Sequence, residues 1–262
     1  RPCRQQRDNT MPGYTTLLET GELDRRAEAL MALAAACRLC PWHCGVNRLK
    51  GEKGRCGAGF SVRVAKALAH FGEEPALTGT GGSGTVFFAH CNLKCCFCQN
   101  WQISHEGMGT DMTVEQLAAH LCGLQQQGCH NINLVSAAHF MPWIMQALAM
   151  AAARGLRLPV VYNSNGYEDA AMLGLLDGIV DIYLPDAKYG DDGCAKKYSA
   201  ARTYQEVNFA ALDEMFRQAG YLELDEAGIA RKGLIVRHLV LPAGRAGTET
   251  VLKKLRHQFG RF

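Results

Sequence analysis

From Thr85 onward the chain alternates short apolar runs with longer amphipathic stretches. Residues 86–89, 131–135, 160–163, 180–184 and 233–241 are apolar runs of strand length. Between and after them, residues 113–127, 140–154, 168–176, a two-part region at 195–219, and 249–258 carry helical spacing. Such alternation predicts βαβ units around a parallel sheet. Residues 221–231 break the pattern, and Asp225-Glu226-Ala227-Gly228 predicts the turn of a hairpin there. Upstream the character differs. An amphipathic helix at 22–36 leads into a cysteine-rich loop with many Gly, Arg and Lys residues. The run Gly79-Thr80-Gly81-Gly82-Ser83-Gly84 marks either a linker or a tight approach of backbones.

Composition narrows the class only modestly. A chain of 262 residues that is 48% hydrophobic can bury one large core or two modest ones. Its 28 basic and 25 acidic residues balance too evenly to imply nucleic acid or an anionic membrane as partner. No apolar run approaches the roughly 20 residues that a membrane span needs. The opening Arg1-Pro2-Cys3-Arg4 does not read as a signal peptide, and the chain reads as a fragment or as beginning upstream of a start such as Met11. Twelve cysteines, largely clustered, point to metal in a reducing compartment, hence the cytoplasm, rather than to disulfides.

The densest chemistry lies at Cys91-Asn92-Leu93-Lys94-Cys95-Cys96-Phe97-Cys98. Cys95, Cys96 and Cys98 are too close in sequence to pair sensibly with one another as disulfides. A zinc ion would need a fourth ligand, for which His90 or Cys96 is at hand. Cys91, Cys95 and Cys98 can hold three corners of a [4Fe–4S] cube that normally takes four thiolates. With no fourth cysteine nearby, one iron stays open, as the open position does in catalytic zinc sites. Using Cys96 would leave a single residue between two corners, so it is left out of the ligand set.

A second group, Cys37-x2-Cys40-x3-Cys44-x11-Cys56, offers four thiols with His43 beside them. Four soft ligands make a closed site, suited to zinc or to an auxiliary iron–sulfur cluster. Asn47, Arg48 and residues 50–53 follow on a polar loop, either solvated or in contact with a partner. Cys3, Cys122, Cys129 and Cys194 are scattered and read as structural thiols. Glu73 and Glu74, with His70, precede Pro75 and form either a solvent-facing turn or part of a substrate entrance.

The C-x3-C-x-aromatic-C loop, with Phe97 in the aromatic slot, resembles the radical SAM superfamily. Asn100, two residues past the last cysteine, is similar to the cluster loop of pyruvate formate-lyase-activating enzymes. Residues 70–75, 99–104, 180–189 and 236–242 resemble an activating-enzyme-like branch of iron–sulfur proteins. The resemblance implies a [4Fe–4S] cluster, S-adenosylmethionine at its open iron, and reductive cleavage to a 5′-deoxyadenosyl radical. It implies a partial (β/α)6 barrel at 79–262, lacking its last strand through C-terminal truncation, behind a helix and cysteine-rich metal-binding extension at 1–78. A protein substrate to be activated as a glycyl radical follows from it, as does an electron donor such as a flavodoxin or ferredoxin.

The resemblance also assigns strand ends, where α/β barrels keep their working residues. Ser136-Ala137-Ala138-His139 stands where activating enzymes have Gly-Gly-Glu, whose carbonyls receive the ammonium group of SAM. His139 there is either a site residue or a helix-start residue facing solvent. Asn163-Ser164-Asn165-Gly166 stands in place of Asp-Thr-Asn-Gly, and Asp186-Ala187-Lys188 matches Asp-Leu-Lys, whose lysine neutralises the SAM carboxylate. The expected cofactor-binding residues are therefore Phe97, Asn100, Ser136, Asn163, Asp186, Lys188 and His238. Arg237 and His238 lie in one strand, where alternation sends them to opposite faces. The rivals are radical modification of another substrate, or an electron-transfer protein whose clusters never meet SAM.

Overall fold

The computed structural model describes residues 11–260. Eight strands form its sheet: β1 (Val62–His70), β2 (Ser83–Phe88), β3 (Thr110–Met112), β4 (Ile132–Val135), β5 (Val160–Ser164), β6 (Ile182–Pro185), β7 (Glu223–Leu224) and β8 (Ala230–Leu234). Their order is β3-β1-β2-β4-β5-β6-β8-β7. The strands β2, β4, β5, β6 and β8 pair in parallel, and these are the five that the apolar runs predict. The fold is thus mixed α/β around a largely parallel sheet, and β7 with β8 forms the expected hairpin. Regular β8 ends earlier than the apolar run does. Its backbone nevertheless keeps pairing as far as Arg237, whose N–H donates to Pro185 O at 2.9 Å.

Ten helices surround the sheet: α1 (Gly13–Glu19), α2 (Glu22–Ala35), α3 (Pro75–Thr78), α4 (Trp101–Ser104), α5 (Val114–Gln126), α6 (Met141–Ala153), α7 (Ala170–Gly174), α8 (Asp192–Ser199), α9 (Tyr204–Ala219) and α10 (Thr248–Phe259). α5 starts at a capping box, in which Thr113 and Gln116 satisfy each other's backbone amides. α6 is apolar nearly all round because α2 and α5 cover it on two sides. None of the described helices is long and apolar enough to cross a membrane. Cys3 lies outside the described residues.

Strand β1 was not legible as a strand, and it changes the picture of the N-terminal zone. It pairs antiparallel with β2 along most of its length, so position 78 falls between two strands of one sheet. Tyr14, Leu23 and Leu30 share a core with Val64, Leu121, Ile144 and Tyr162, drawn from both sides of that position. The glycine-dense run is a tight backbone approach and not a linker, for Ser83 and Gly84 already belong to β2. A Cβ on Gly81 would stand 2.1 Å from Gly128 O, and one on Gly84 would stand 2.5 Å from Asn131 O.

Overpacking of this kind costs about 1–3 kcal/mol. Gly84→Ala is therefore expected to lower the unfolding free energy by that amount, seen as a lower urea midpoint at an unchanged slope. An unchanged midpoint would show that β2 and β4 have room to separate.

Candidate active site

The loop after β2 is tied down where it starts. Ala89 N–H donates to Arg63 O at 2.8 Å, and His90 N–H donates to Ile103 O at 2.8 Å, which closes the loop. Within the closed loop the backbone is left-handed at His90 and Lys94, with φ of 69° and 49°. This winding leaves Cys91, Cys95 and Cys98 on the wall of one cavity of about 350 Å³. Cys91 and Cys95 are buried and Cys98 is half-buried. Cys96 is exposed and faces away from the cavity, its amide held by Tyr198 O at 2.8 Å.

Hydrogen-bond donors surround the three sulfurs. Leu93 N–H reaches Cys91 Sγ at 3.4 Å, and Asn165 Nδ2 reaches it at 3.3 Å. Ser104 Oγ lies 3.2 Å from Cys98 Sγ. Burial pushes the Cys91 thiol up to about 11 and raises Cys95 as well, and such donors pull back toward thiolate, the form in which cysteine binds metal. Among the described residues no three Cys, His, Asp or Glu side chains converge closely enough to hold a single metal ion. Three separated thiolates with donors aimed at them suit the corners of a cluster, which stand further apart.

Phe97 and Asn100 of the cysteine loop also line the cavity, and strand ends add a further wall through Ser136, Asn163, Asp186, Lys188 and His238. Asp186 is the node of this wall, accepting from Lys188 Nζ at 2.5 Å and from Arg237 Nε at 3.2 Å. Arg237 also donates to Asn163 Oδ1 and lies 3.5 Å from Glu73. Lys188 is disfavoured by burial, but Asp186 and the neighbouring cysteines hold its pKa above the ordinary lysine value. The Lys188 amide donates to Tyr204 Oη at 2.9 Å, which ties the strand end to α9.

Two expectations change here. Arg237 and His238 both line the cavity and do not take opposite faces, because the chain leaves regular β8 before reaching them. His238 is also held on both ring nitrogens, by Ala187 O at 2.5 Å and Thr248 Oγ1 at 2.9 Å. His139 is neither solvent-facing nor part of the cavity wall. It is buried with Nε2 on Ala89 O at 2.8 Å, and burial pushes its pKa down to about 3. It is thus a neutral prop under the start of the cysteine loop.

Glu73 and Asn165 were not among the expected cofactor contacts. Glu73 reaches in from the turn after β1 to accept from Asn163 Nδ2 at 3.3 Å. Burial pushes its carboxyl up to about 7, against the pull of Arg237. Asn165 was visible only as part of a motif, whereas its side chain joins Cys91 Sγ to Asn92 Oδ1.

A model of the Radical SAM superfamily matches residues 85–220. The chain belongs to the radical SAM superfamily. Members of this superfamily are in general enzymes of radical chemistry that carry a [4Fe–4S] cluster and use SAM. The chain is also 30% identical over 228 residues to an uncharacterized protein of Methanocaldococcus jannaschii, MJ0674. That match takes in 84% of this chain and 61% of the relative, so the chain spans about three fifths of the relative's length.

Because the Glu73 pKa is raised on folding, its contribution to stability is fully present below about 4.5. It is lost as pH rises toward about 7. Glu73→Gln should therefore gain stability relative to the parent chain across that window, measured by urea unfolding at pH 4, 6 and 8. Parallel profiles would mean that Glu73 ionises as freely in the fold as in the unfolded chain.

Proposed function

We propose that this protein cleaves SAM reductively, in the manner of enzymes that activate glycyl radical proteins. The observation that carries the reading is one cavity with Cys91, Cys95 and Cys98 on one wall and Asn163, Asp186 and Lys188 on the other. Cys91, Cys95 and Cys98 would hold a [4Fe–4S] cluster, which when bound would supply the electron for reductive cleavage of SAM. The chain's own residues bind and orient. Lys188 offers its ammonium group to a carboxylate, and Asp186 holds that ammonium in place meanwhile. Asn163 presents an amide able to donate and accept, steadied by Arg237. Phe97 packs edge-on against Tyr189, with ring centres 6.2 Å apart, and helps to keep water from the cluster wall.

A polypeptide substrate is supported by the rim. Exposed Trp101, Leu239 and Val240 adjoin the lining residues Asn100 and His238 and give the mouth an apolar border. The electron comes from outside the chain, from a carrier of the flavodoxin or ferredoxin kind.

Under anaerobic conditions with a strong one-electron reductant, Cys91→Ala, Cys95→Ala and Cys98→Ala are each expected to abolish formation of 5′-deoxyadenosine. Cys96→Ala should leave it largely intact. Retention in Cys95→Ala with loss in Cys96→Ala would reverse the ligand assignment.

Lys188→Ala should keep its iron but bind SAM more weakly. The lost charge-assisted contact is worth about 1.5–3 kcal/mol, or roughly ten- to hundredfold in affinity. Calorimetric titration of the iron-loaded variant checks this, and unchanged affinity would move Lys188 out of the cofactor site.

A further inference from the structure

The cavity makes no use of Cys37, Cys40, Cys44 and Cys56, yet the fold gathers them. Cys37 N–H donates to Val46 O at 2.9 Å and Gly45 N–H returns to Cys37 O at 3.1 Å, folding the loop so that Cys44 lies back toward Cys37. Gly54 leans on the third thiol, since a Cβ there would stand 2.4 Å from Cys44 Sγ. Gly57 N–H to Gly54 O at 2.9 Å closes the turn that carries Cys56. The backbone amides of Leu39 and Trp42 lie near the thiols of Cys37 and Cys40, whose pKa values burial raises and these amides pull back. The two-residue spacing is that by which Leu93 N–H meets Cys91 Sγ. Cys37, Cys40 and Cys56 are buried and Cys44 is exposed.

A second observation comes from the neighbouring Arg48, which is 0% exposed. Its Nε and Nη2 both donate to Gly59 O, at 3.0 and 2.6 Å, while buried Nη1 has no partner. No carboxylate pairs with it among the described residues, and the rings of Phe140 and Trp143 flank it at 5.9 and 5.4 Å. An arginine does not shed its proton to escape burial. A buried guanidinium without an anion is strongly unfavourable, so the fold calls for negative charge nearby. The adjacent Cys37, on which the Arg48 charge acts, belongs to the one set of groups able to supply it.

We propose that Cys37, Cys40, Cys44 and Cys56 ligate a second iron–sulfur cluster, with Arg48 as its buried counter-ion. Four thiolates around such a cluster leave the centre net negative. Zinc also takes four thiolates, so metal content separates the two. The site stands against the catalytic loop. Trp42, between the second and third thiols, donates Nε1–H to Asn92 O at 2.7 Å. Its ring meets Tyr167 at 5.6 Å and carries Arg55 at 3.8 Å. The proposal does not depend on the SAM reading, because it concerns ligands outside that cavity.

The test uses the full chain, reconstituted anaerobically with iron and sulfide, and reads iron, sulfide and zinc content together with the reduced electron paramagnetic spectrum. The quadruple Cys→Ala variant should lose about four irons with matching sulfide, and the single variant Cys44→Ala, left with three thiolates, should change or lose the reduced signal of the second cluster. Both should keep the spectral signal that responds to SAM. Cys44 is exposed, so its variant decides the matter if the quadruple one fails to fold. Stoichiometric zinc lost without iron, or no metal lost, would overturn the proposal. Arg48→Met tests the counter-ion. It should lower iron retention in the parent chain, yet raise the unfolding midpoint in the quadruple Cys→Ala background, where the cation has no anion. The same effect in both backgrounds would remove Arg48 from the assignment.

Discussion

Every polar group of Asp186 is engaged, and the active site is arranged around that residue. Its amide donates to Ser164 O at 3.0 Å, and its carbonyl accepts from Asn208 Nδ2 at 2.9 Å and Tyr204 Oη at 3.2 Å. Its carboxylate is divided between Lys188 and Arg237. These bonds draw β5, β6, the extension of β8 and α9 to one point. Gly166 permits that approach, because a Cβ there would stand 2.0 Å from Asp186 O. Buried charges persist when they are paired and hydrogen-bonded, and here a single carboxylate serves two cations. A neutral residue at this position would leave Lys188 and Arg237 facing each other with Glu73 as the nearest remaining partner.

The site walls also carry backbone strain. His90, Lys94 and Ser136 are non-glycine residues with left-handed φ, a conformation that costs on the order of 1–3 kcal/mol each. In each case the unusual turn accompanies a bond. Ser136 N–H meets Asn163 O at 2.9 Å, His90 N–H meets Ile103 O, and the Lys94 amide is aimed at Cys91 sulfur. The strained turns thus close the cysteine loop and fix the end of β4 against β5. Aromatic packing supports them from below, with Tyr167 and Tyr204 stacked at 5.9 Å and Tyr189 set edge-on to Tyr204 at 5.1 Å.

Much of this was legible along the chain, because parallel strands announce themselves as apolar runs and put their functional residues at predictable ends. The resemblance to activating enzymes singled out Asn163, Asp186 and Lys188, and the strand ends showed where they would stand. Strand β1 was not legible. Its alternation is blurred by Ala65, Ala67 and Ala69, residues that carry little strand preference, and only Val62 and Val64 are fully buried. The Glu73–Arg237 pair was hidden for another reason. Its members are brought together only by the order of the strands, and no local pattern encodes a contact between such distant positions. The failure of alternation at His238 has a local cause, since the period of two holds only while the strand stays regular.

An open sheet exposes unpaired backbone at each border, and both borders here are short. β3 has three residues and β7 has two. Asp111 and Glu223 place a carboxylate in each. A neighbouring molecule seeking to extend the sheet would find few free amide and carbonyl groups in register, and a negative charge beside them. The parallel strands that carry the chemistry are all interior, and their end residues are left free to serve the site.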